Sequence, residues 1–202
     1  MPMTTKPPQQ NPALADFWEH RYRNNVTPWD AGRVQAALRD FATTHTGQPR
    51  VLIPGCGAAY EARYLAELDW QVTALDFSAV AIEAARATLG SHGDCLLQAD
   101  FFNFEITAPF DIIYERAFFC SMPRRLWPDY ATRMAQLLRP GGLLAGFFFL
   151  SDELKGPPFG TGSEELRTLL EPFFERIADE PVTDSIPVFQ GKERWQVWQL
   201  KP

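Results

Sequence analysis

The 202-residue sequence predicts an α/β fold, with a mostly parallel sheet of seven strands that carries helices on both faces. Between residues 50 and 150, short apolar segments alternate with amphipathic segments of helical period. A glycine turn links the first of these strands to its helix. Near the C-terminus, two further strand-like segments follow each other without a helix between them. They indicate an antiparallel hairpin that closes the sheet.

The N-terminal region precedes this alternation and is predicted to form a helical lid over residues 13–45. Residues 1–12 are rich in Pro, Gln and Thr, a composition typical of a flexible tail. Residues 13–24 carry aromatic and apolar side chains at helical spacing, which predicts a first helix. Asp30 is expected to cap a second helix that runs to about Phe41.

The seven strands are predicted from short runs of apolar and β-branched residues. They lie at residues 50–53, 71–76, 95–98, 110–115, 143–150, 176–181 and 193–200. The fifth run is continuously apolar, as expected for a central strand that is buried on both faces. No composition shift or long linker divides the chain, so we expect a single domain over residues 1–202.

Four helices are predicted between or after these strands. They lie at residues 60–68, 78–89, 124–138 and 163–170. Ser78 is expected to cap the second of them, and Pro140 with Gly141 to end the third. In the first, Leu65 belongs to the apolar face, while Glu61 belongs to the opposite, charged face.

The glycine turn and an acidic residue together predict a nucleoside site. Gly55 and Gly57 follow the first strand, and Asp76 ends the second strand 19 positions after Gly57. This spacing brings a carboxylate beside the turn, where it can accept hydrogen bonds from ribose hydroxyls. Tyr60 stands where a dinucleotide fingerprint has a third small residue, which argues against NAD. The alternative is a glycine turn that only connects strand and helix.

Composition and charge exclude several classes of protein. The formal net charge of −6 argues against a general nucleic-acid binder. The longest apolar run, Leu143–Leu150, is too short to span a membrane, and the N-terminus has no apolar signal core. Three scattered cysteines and three scattered histidines indicate neither a disulfide framework nor a metal site. We therefore expect a cytoplasmic monomer with a small-molecule partner, and neither a metal, nor nucleic acid, nor a membrane.

Several segments resemble class I S-adenosylmethionine-dependent methyltransferases: residues 53–57, 75–78, 100–102 and 110–122. Residues 17–19, 27–30, 116–120 and 156–159 more narrowly resemble the thiopurine S-methyltransferase family, including its halide and thiol methyltransferase branch. Tyr22 stands where thiopurine enzymes carry Trp, and Phe118-Phe119-Cys120 is closer to the halide and thiol branch. The resemblance implies a Rossmann-like fold and the cofactor S-adenosyl-L-methionine.

The resemblance also implies a set of site residues. Arg116 is expected near the methyl acceptor and is the candidate catalytic residue. Candidate cofactor-binding residues are Pro54, Gly55 and Gly57 for the methionine part, Asp76 for the ribose, Asp100 and Phe101 for the adenine, Trp18, Tyr22 and Trp29 as an aromatic cover, and also Phe77, Ser78 and Glu115. From the residues alone, the aromatic side chains could equally belong to the core, Asp100 could cap a turn, and Arg116 could pair with Glu115 or Asp76.

The lack of an obvious general base in the sequence predicts the chemical class of the methyl acceptor. The three histidines are scattered and none is an obvious general base for an oxygen acceptor, whereas a thiol is already partly ionised near neutral pH. The 16 phenylalanines and 6 tryptophans suit a dry acceptor pocket. We therefore expect methyl transfer to a small soft nucleophile: a thiol, a thiopurine-like compound, a selenium or tellurium species, or a halide. The alternatives are an O- or N-methyltransferase of a small metabolite and a non-catalytic protein that binds the cofactor.

Overall fold

The structure, a computed structural model, describes residues 7–202. Residues 1–6 of the predicted tail therefore lie outside the described residues. The rest of that tail holds one turn of 3-10 helix at Pro8–Gln10, and the first long helix begins at Ala15. Within residues 7–202, no helix has both the length and the apolar character needed to cross a membrane.

Seven strands and six α-helices follow the predicted order. The strands are β1 (Arg50–Pro54), β2 (Gln71–Asp76), β3 (Leu96–Gln98), β4 (Phe110–Arg116), β5 (Leu138–Phe149), β6 (Phe174–Pro181) and β7 (Glu193–Leu200). The helices are α1 (Ala15–Arg23), α2 (Ala36–Thr44), α3 (Tyr60–Glu67), α4 (Ala79–Leu89), α5 (Trp127–Leu137) and α6 (Ser163–Leu170). Short 3-10 helices lie at Gly90–Cys95, Phe119–Ser121 and Arg124–Leu126.

All seven strands form one sheet in the order β3-β2-β1-β4-β5-β7-β6. Strands β1 to β5 pair in parallel, and β7 is antiparallel to both β5 and β6. The predicted mostly parallel sheet with a C-terminal antiparallel hairpin is therefore confirmed. The chain order reverses between β1 and β4, so the carboxyl ends of these neighbours open a crevice where ligands bind in such sheets.

Apolar side chains fill both faces of the sheet. One cluster packs α5 and α6 against the sheet around Ile113, Leu144 and Phe148, and the other packs α2, α3 and α4 around Val51 and Ala145. Strand β5 contributes to both clusters, as its unbroken apolar sequence predicts. It begins at Leu138 rather than at Leu143 because Leu138 already pairs with Phe110, and the residues between Leu138 and Leu143 form an irregularity in the pairing of β5 with β4.

The start of α2 differs from the prediction. The Asp30 carboxylate accepts a hydrogen bond from the Gly32 amide at 2.8 Å, so it closes a local turn and does not cap a helix. The helix begins six residues later, at Ala36. The cap comes from a distant segment, because the Ala36 amide donates to Asp184 Oδ2 at 3.0 Å. The predicted Ser78 cap of α4 is confirmed, with its hydroxyl accepting from the Ala81 amide at 3.2 Å.

Candidate active site

A cavity of about 830 Å³ opens at the carboxyl ends of the central strands. Eleven of the thirteen predicted site residues line it: Trp18, Tyr22, Trp29, Pro54, Gly55, Gly57, Asp76, Phe77, Asp100, Phe101 and Arg116. These residues come from the N-terminal region and from the ends of β1, β2, β3 and β4. The fold thus brings together positions that are up to 98 residues apart, from 18 to 116.

The glycine turn and Asp76 meet as predicted. Asp76 Oδ2 accepts a hydrogen bond from the Gly57 amide at 3.3 Å, and Oδ1 accepts one from the Ser78 amide at 2.9 Å. Burial raises the pKa of Asp76 to about 6, although these amide hydrogen bonds act to lower it. A buried carboxylate beside the turn is therefore fixed in orientation before any ligand arrives.

Both glycines of this turn are required by the backbone and by their neighbours. Gly55 has φ +60° and Gly57 has φ +53°, in the left-handed region that glycine favours. A Cβ at Gly55 would lie 2.5 Å from Phe118 Cδ2, and one at Gly57 would lie 3.0 Å from the Tyr22 hydroxyl oxygen. The turn thus keeps a narrow cradle open between β1 and the aromatic side chains that face it.

Ser78 and Glu115, also expected to bind the cofactor, do not line the cavity. The Ser78 hydroxyl caps α4, and the Ser78 amide donates a hydrogen bond to Asp76. Glu115 Oε1 accepts from the Phe118 and Phe119 amides at 2.9 and 3.0 Å. Both residues lie behind the wall, where they shape segments that do reach the cavity.

Asp100 closes a turn at the rim of the cavity. Its carboxylate accepts from the Phe102 amide at 3.0 Å and from Asn103 Nδ2 at 2.7 Å, which closes the turn after β3. Asp100 is exposed and also borders the cavity. Phe101 is buried, and its ring centroid lies 5.1 Å from that of Phe118 in an edge-on arrangement. Phe101 and Phe118 together form an apolar end of the cavity beside β3.

Three aromatic side chains of the N-terminal region cover the opposite side. The Trp29 ring packs edge-on against Trp18 and Tyr22, with centroid distances of 5.3 and 5.9 Å. Trp18 Nε1 donates to the Pro12 carbonyl at 2.9 Å, which fixes the indole relative to the start of α1. Burial raises the pKa of Tyr22, so its hydroxyl stays neutral. All three rings contribute both to packing and to the cavity wall.

Arg116 has partners other than those considered from sequence. Its Nε donates to Gln35 Oε1 at 2.6 Å, and Nη1 donates to the Trp29 carbonyl at 3.4 Å. Nη1 also lies 3.9 Å from Glu61 Oε1. Nη2 is buried and has no partner among the described residues. The guanidinium is therefore held from two sides while it borders the cavity.

Glu61 and Gln35 are functional candidates that sequence reasoning missed. Glu61 was predicted on the charged face of its helix, but only 8% of the residue is exposed and it lines the cavity. It is buried because α3 turns its first residues toward Arg116 at the end of β4. A possible signal was an acid in the first helical turn directly after the glycine turn. No local pattern marks Gln35, whose contact with Arg116 spans 81 residues.

Apolar side chains that follow Arg116 in the chain form a further part of the cavity wall, an apolar compartment next to Arg116. They include Ala117, Cys120, Met122, Pro157, Pro158, Val188 and Phe189. The Cys120 thiol is buried, its pKa is raised by that burial, and it donates to the Ala117 carbonyl at 3.6 Å. A thiol in this state is a packing group rather than a nucleophile. Arg116, with Glu61 beside it, therefore borders a group of apolar side chains in the cavity wall.

Comparisons with known proteins agree with this architecture. Among solved structures, 1,6-didemethyltoxoflavin-N1-methyltransferase of Burkholderia thailandensis, with bound 1,6-didemethyltoxoflavin and S-adenosylhomocysteine, is similar to this chain with a TM-score of 0.74 and 19% sequence identity. The match covers 100% of this chain and 94% of that one. At this identity the likeness shows the fold, which is the Rossmann-like fold of S-adenosylmethionine-dependent methyltransferases.

Sequence comparisons are more specific. The chain is 30% identical to thiocyanate methyltransferase 1 of Arabidopsis thaliana over 189 residues, which covers 90% of this chain and 83% of that protein. It is 27% identical to a thiopurine S-methyltransferase of Aliivibrio salmonicida over 209 residues, which covers 92% of this chain and 98% of that protein. The sequence profile of thiopurine S-methyltransferase (TPMT) matches residues 13–201. The chain therefore belongs to the thiopurine S-methyltransferase family.

Proposed function

We propose that this protein transfers a methyl group from S-adenosyl-L-methionine to a small soft nucleophile, with a thiol as the acceptor class that the site fits best. The observation that carries the proposal is the continuity of one cavity. It joins a buried carboxylate beside a glycine turn, at Asp76, to an apolar compartment bordered by the guanidinium of Arg116. The first part suits a nucleoside, and the second suits a small anion.

The residues around the turn support S-adenosyl-L-methionine as the cofactor. The cradle at Gly55 and Gly57 has no room for a Cβ, which supports close approach of a ligand to the backbone. Asp76 is the charged acceptor for two ribose hydroxyls. Phe101 and Phe77 offer apolar surfaces for a base, and Phe77 lies directly after Asp76.

When bound, the cofactor supplies a methyl group that a sulfonium already activates. The chain's own residues therefore need to bind, orient and exclude water. Trp18, Tyr22 and Trp29 cover the cavity, and aromatic faces attract a cation by about 0.5–2 kcal/mol. Holding the acceptor close to the methyl group and aligned with it lowers the barrier by several kcal/mol.

Arg116 favours an anionic acceptor. Its guanidinium stays protonated and cannot act as a base, but it attracts a thiolate or a halide into the apolar compartment. Gln35 and the Trp29 carbonyl hold it in place, so little reorganisation is needed when the acceptor arrives. The free cysteines Cys56, Cys95 and Cys120 support a reducing compartment such as the cytoplasm. Because one chain builds the whole cavity, we propose that it works as a monomer.

A labelled-methyl screen tests the proposed function. The protein is incubated with radiolabelled S-adenosyl-L-methionine and, separately, with an alkyl thiol, a thiopurine, selenite, thiocyanate, iodide, a catechol and a primary amine. We expect label in the products of sulfur acceptors and soft anions. Products from the catechol or the amine alone would make the protein an O- or N-methyltransferase. Tight cofactor binding by calorimetry with no labelled product would make it a non-catalytic binder.

A further inference from the structure

We propose that Glu61 is the general base that removes the proton from thiol acceptors. The inference rests on the proposed function and adds a catalytic residue to it. A thiol must lose a proton when its sulfur is methylated, and Arg116 cannot accept that proton. A carboxylate beside the acceptor would take this proton from the fraction of thiol that arrives un-ionised, and Glu61 is the group that the fold supplies.

The buried carboxylates of the described residues leave Glu61 as the candidate. Four acidic side chains are buried: Glu61, Asp76, Glu115 and Glu193. Only Glu61 and Asp76 line the cavity. Both oxygens of Asp76 accept backbone amide hydrogen bonds. Asp30, Asp100 and Asp129 also border the cavity but are exposed to water.

The Glu61 carboxylate keeps its capacity to accept a proton. Its Oε1 lies 3.9 Å from Arg116 Nη1, beyond hydrogen-bonding distance. Arg116 instead donates from Nε to Gln35 and from Nη1 to the Trp29 carbonyl. About 10% of the Glu61 side chain remains exposed, and it forms part of the cavity wall. The carboxylate is thus dry and accessible from the cavity, and its neighbouring guanidinium does not neutralise it through a hydrogen bond.

Burial and neighbouring charges shift the pKa of the Glu61 carboxylate. Burial raises the pKa of Glu61 above its ordinary value, and the Arg116 guanidinium on β4 acts in the opposite direction. Asp30, in the loop before α2, also acts to raise it. The remaining titratable neighbours are Cys56, Tyr60 and Tyr114, which stay uncharged because burial raises the pKa of each. A raised pKa makes a stronger base, while the Arg116 guanidinium favours the charged form of that base.

The proposed step balances in atoms and charge. The S–H bond of the acceptor breaks, its electron pair stays on sulfur, and the proton forms an O–H bond on Glu61. That sulfur bonds to the methyl carbon, whose bond to the sulfonium breaks, and the pair of that bond remains on a neutral thioether. Glu61 then returns its proton to water through the cavity mouth. An acceptor that is already an anion without a proton needs no such base.

Two acceptors separate this role from a structural one. Turnover of an alkyl thiol and of thiocyanate is measured against pH for the wild type and for Glu61→Gln. Near pH 7 we expect the thiol rate to fall about 10²- to 10⁴-fold, the usual contribution of a general base, and the thiocyanate rate to fall no more than about threefold. The thiol deficit should shrink toward pH 10, because the thiol then ionises without help.

Matched variants control for folding and for charge. Glu67→Gln removes an exposed carboxylate from the same helix, one that pairs with Arg63 at 2.8 Å, and should change neither rate. Glu61→Asp keeps the charge but withdraws it by one methylene, so we expect an intermediate loss with the thiol. In Glu61→Ala, added formate should restore thiol turnover without raising thiocyanate turnover. Cofactor affinity, measured by calorimetry, should stay within about threefold in each variant.

Equal losses with both acceptors would overturn the proposal, as would a large loss of cofactor affinity in Glu61→Gln. Either result would assign Glu61 to an ion pair with Arg116 or to the cationic end of the cofactor. A wild type that methylates thiocyanate but no thiol would overturn the base while leaving methyl transfer in place. A wild type that methylates neither these two acceptors nor any other soft nucleophile of the labelled-methyl screen would refute the proposed function itself.

Discussion

At Asp76, burial and hydrogen bonding act on one carboxylate in opposite directions. Burial raises its pKa to about 6, while amides from Gly57 and Ser78 favour the charged form. Ribose hydroxyls would add hydrogen bonds to the charged form only. We therefore expect the ionised carboxylate to be the form that binds the cofactor, and cofactor binding to lower the pKa of Asp76.

We predict that Asp76→Asn weakens S-adenosyl-L-methionine binding about ten- to a hundredfold at pH 8. Hydrogen bonds to a charged group contribute about 1.5–3 kcal/mol, and most of this contribution is lost when the carboxylate is replaced by the neutral amide of Asn. Wild-type affinity should also fall as pH drops below about 6, whereas the variant should show little dependence on pH. Calorimetry at several pH values measures both effects, with the exposed Glu83→Gln on α4 as the control. Unchanged affinity in a folded Asp76→Asn protein would refute ribose binding by this carboxylate.

Arg116 gives a second prediction at the scale of one residue. Arg116→Met keeps much of the bulk but removes the charge, so we expect cofactor affinity to survive and turnover of thiocyanate and thiols to fall at least tenfold. The thiol loss should be larger at low pH, where the acceptor depends more on a nearby positive charge to ionise. Arg63→Met, on the exposed surface of α3, is the matched control. Equal rates in Arg116→Met and the wild type would leave Arg116 with a structural role alone.

At the scale of elements, the connection between β6 and β7 holds the N-terminal region in place. In this connection, the Asp184 carboxylate accepts a hydrogen bond from the Ala36 amide. The backbone carbonyl of Asp184 accepts a second one from the Arg33 guanidinium at 2.8 Å. Ile186 and Phe189 of the same connection are buried in a cluster that includes Trp29. The segment that starts α2 thus depends on a part of the chain that is about 150 residues away.

This dependence predicts the effect of Asp184→Ala. The first amide of α2 loses its acceptor, and loss of a helix cap costs about 1 kcal/mol. Because Gln35 directly precedes α2 and holds Arg116, turnover should fall together with stability. Urea denaturation and initial rates measure the two effects. Asp40→Ala, on the exposed face of α2, should change stability by less than about 0.5 kcal/mol, and an equally small effect of Asp184→Ala would contradict the account.

These elements also show what a sequence can reveal. Ser78 was recognised as a cap because its signal is local: a hydroxyl at the start of an apolar helix. Asp30 carries the same signal, but a glycine two residues later offers its carboxylate a tighter turn. The real cap, Asp184, is 148 residues from its amide partner, and no periodicity encodes such a contact. Glu61 was misassigned for a similar reason, since its partner Arg116 lies on a different element.

At the scale of the whole molecule, the parallel sheet explains why most of the site was predictable. Strand ends lie on one edge of the sheet whatever the detailed packing, so Gly57, Asp76, Asp100 and Arg116 had to converge. What stayed hidden was the direction of each side chain. Glu115 precedes Arg116 by one residue, and successive side chains of a strand point to opposite faces. Its carboxylate therefore lies behind the cavity wall.

Glu115 makes the stability of the molecule depend on pH. Burial raises its pKa to about 7, against about 4.3 for an unfolded glutamate. The folded state holds this proton more tightly, so the stability gained from it is full at low pH and is lost as pH rises through 7. Glu193 adds to the upward shift, while the Phe118 and Phe119 amides and Arg116 oppose it.

We therefore predict that Glu115→Gln gains stability relative to the wild type as pH rises. The amide mimics the protonated acid, so the difference in free energy of unfolding should shift in favour of the variant by roughly 1–2 kcal/mol between pH 5.5 and 8.5. Urea denaturation without cofactor measures it. Glu164→Gln is the control, because Arg167 lowers the pKa of Glu164 and keeps it charged over that range. If the difference in free energy of unfolding between Glu115→Gln and the wild type did not change with pH, the raised pKa of Glu115 would be contradicted.

The central claim is that one cavity holds the cofactor and the acceptor. A crystal structure with S-adenosylhomocysteine and a thiol acceptor tests it most directly. We expect the ribose hydroxyls at the Asp76 carboxylate, the methionine part along Gly55 and Gly57, and the acceptor sulfur between Arg116 and Glu61. A nucleoside bound outside this cavity, or an acceptor sulfur that reaches neither Arg116 nor Glu61, would contradict the account.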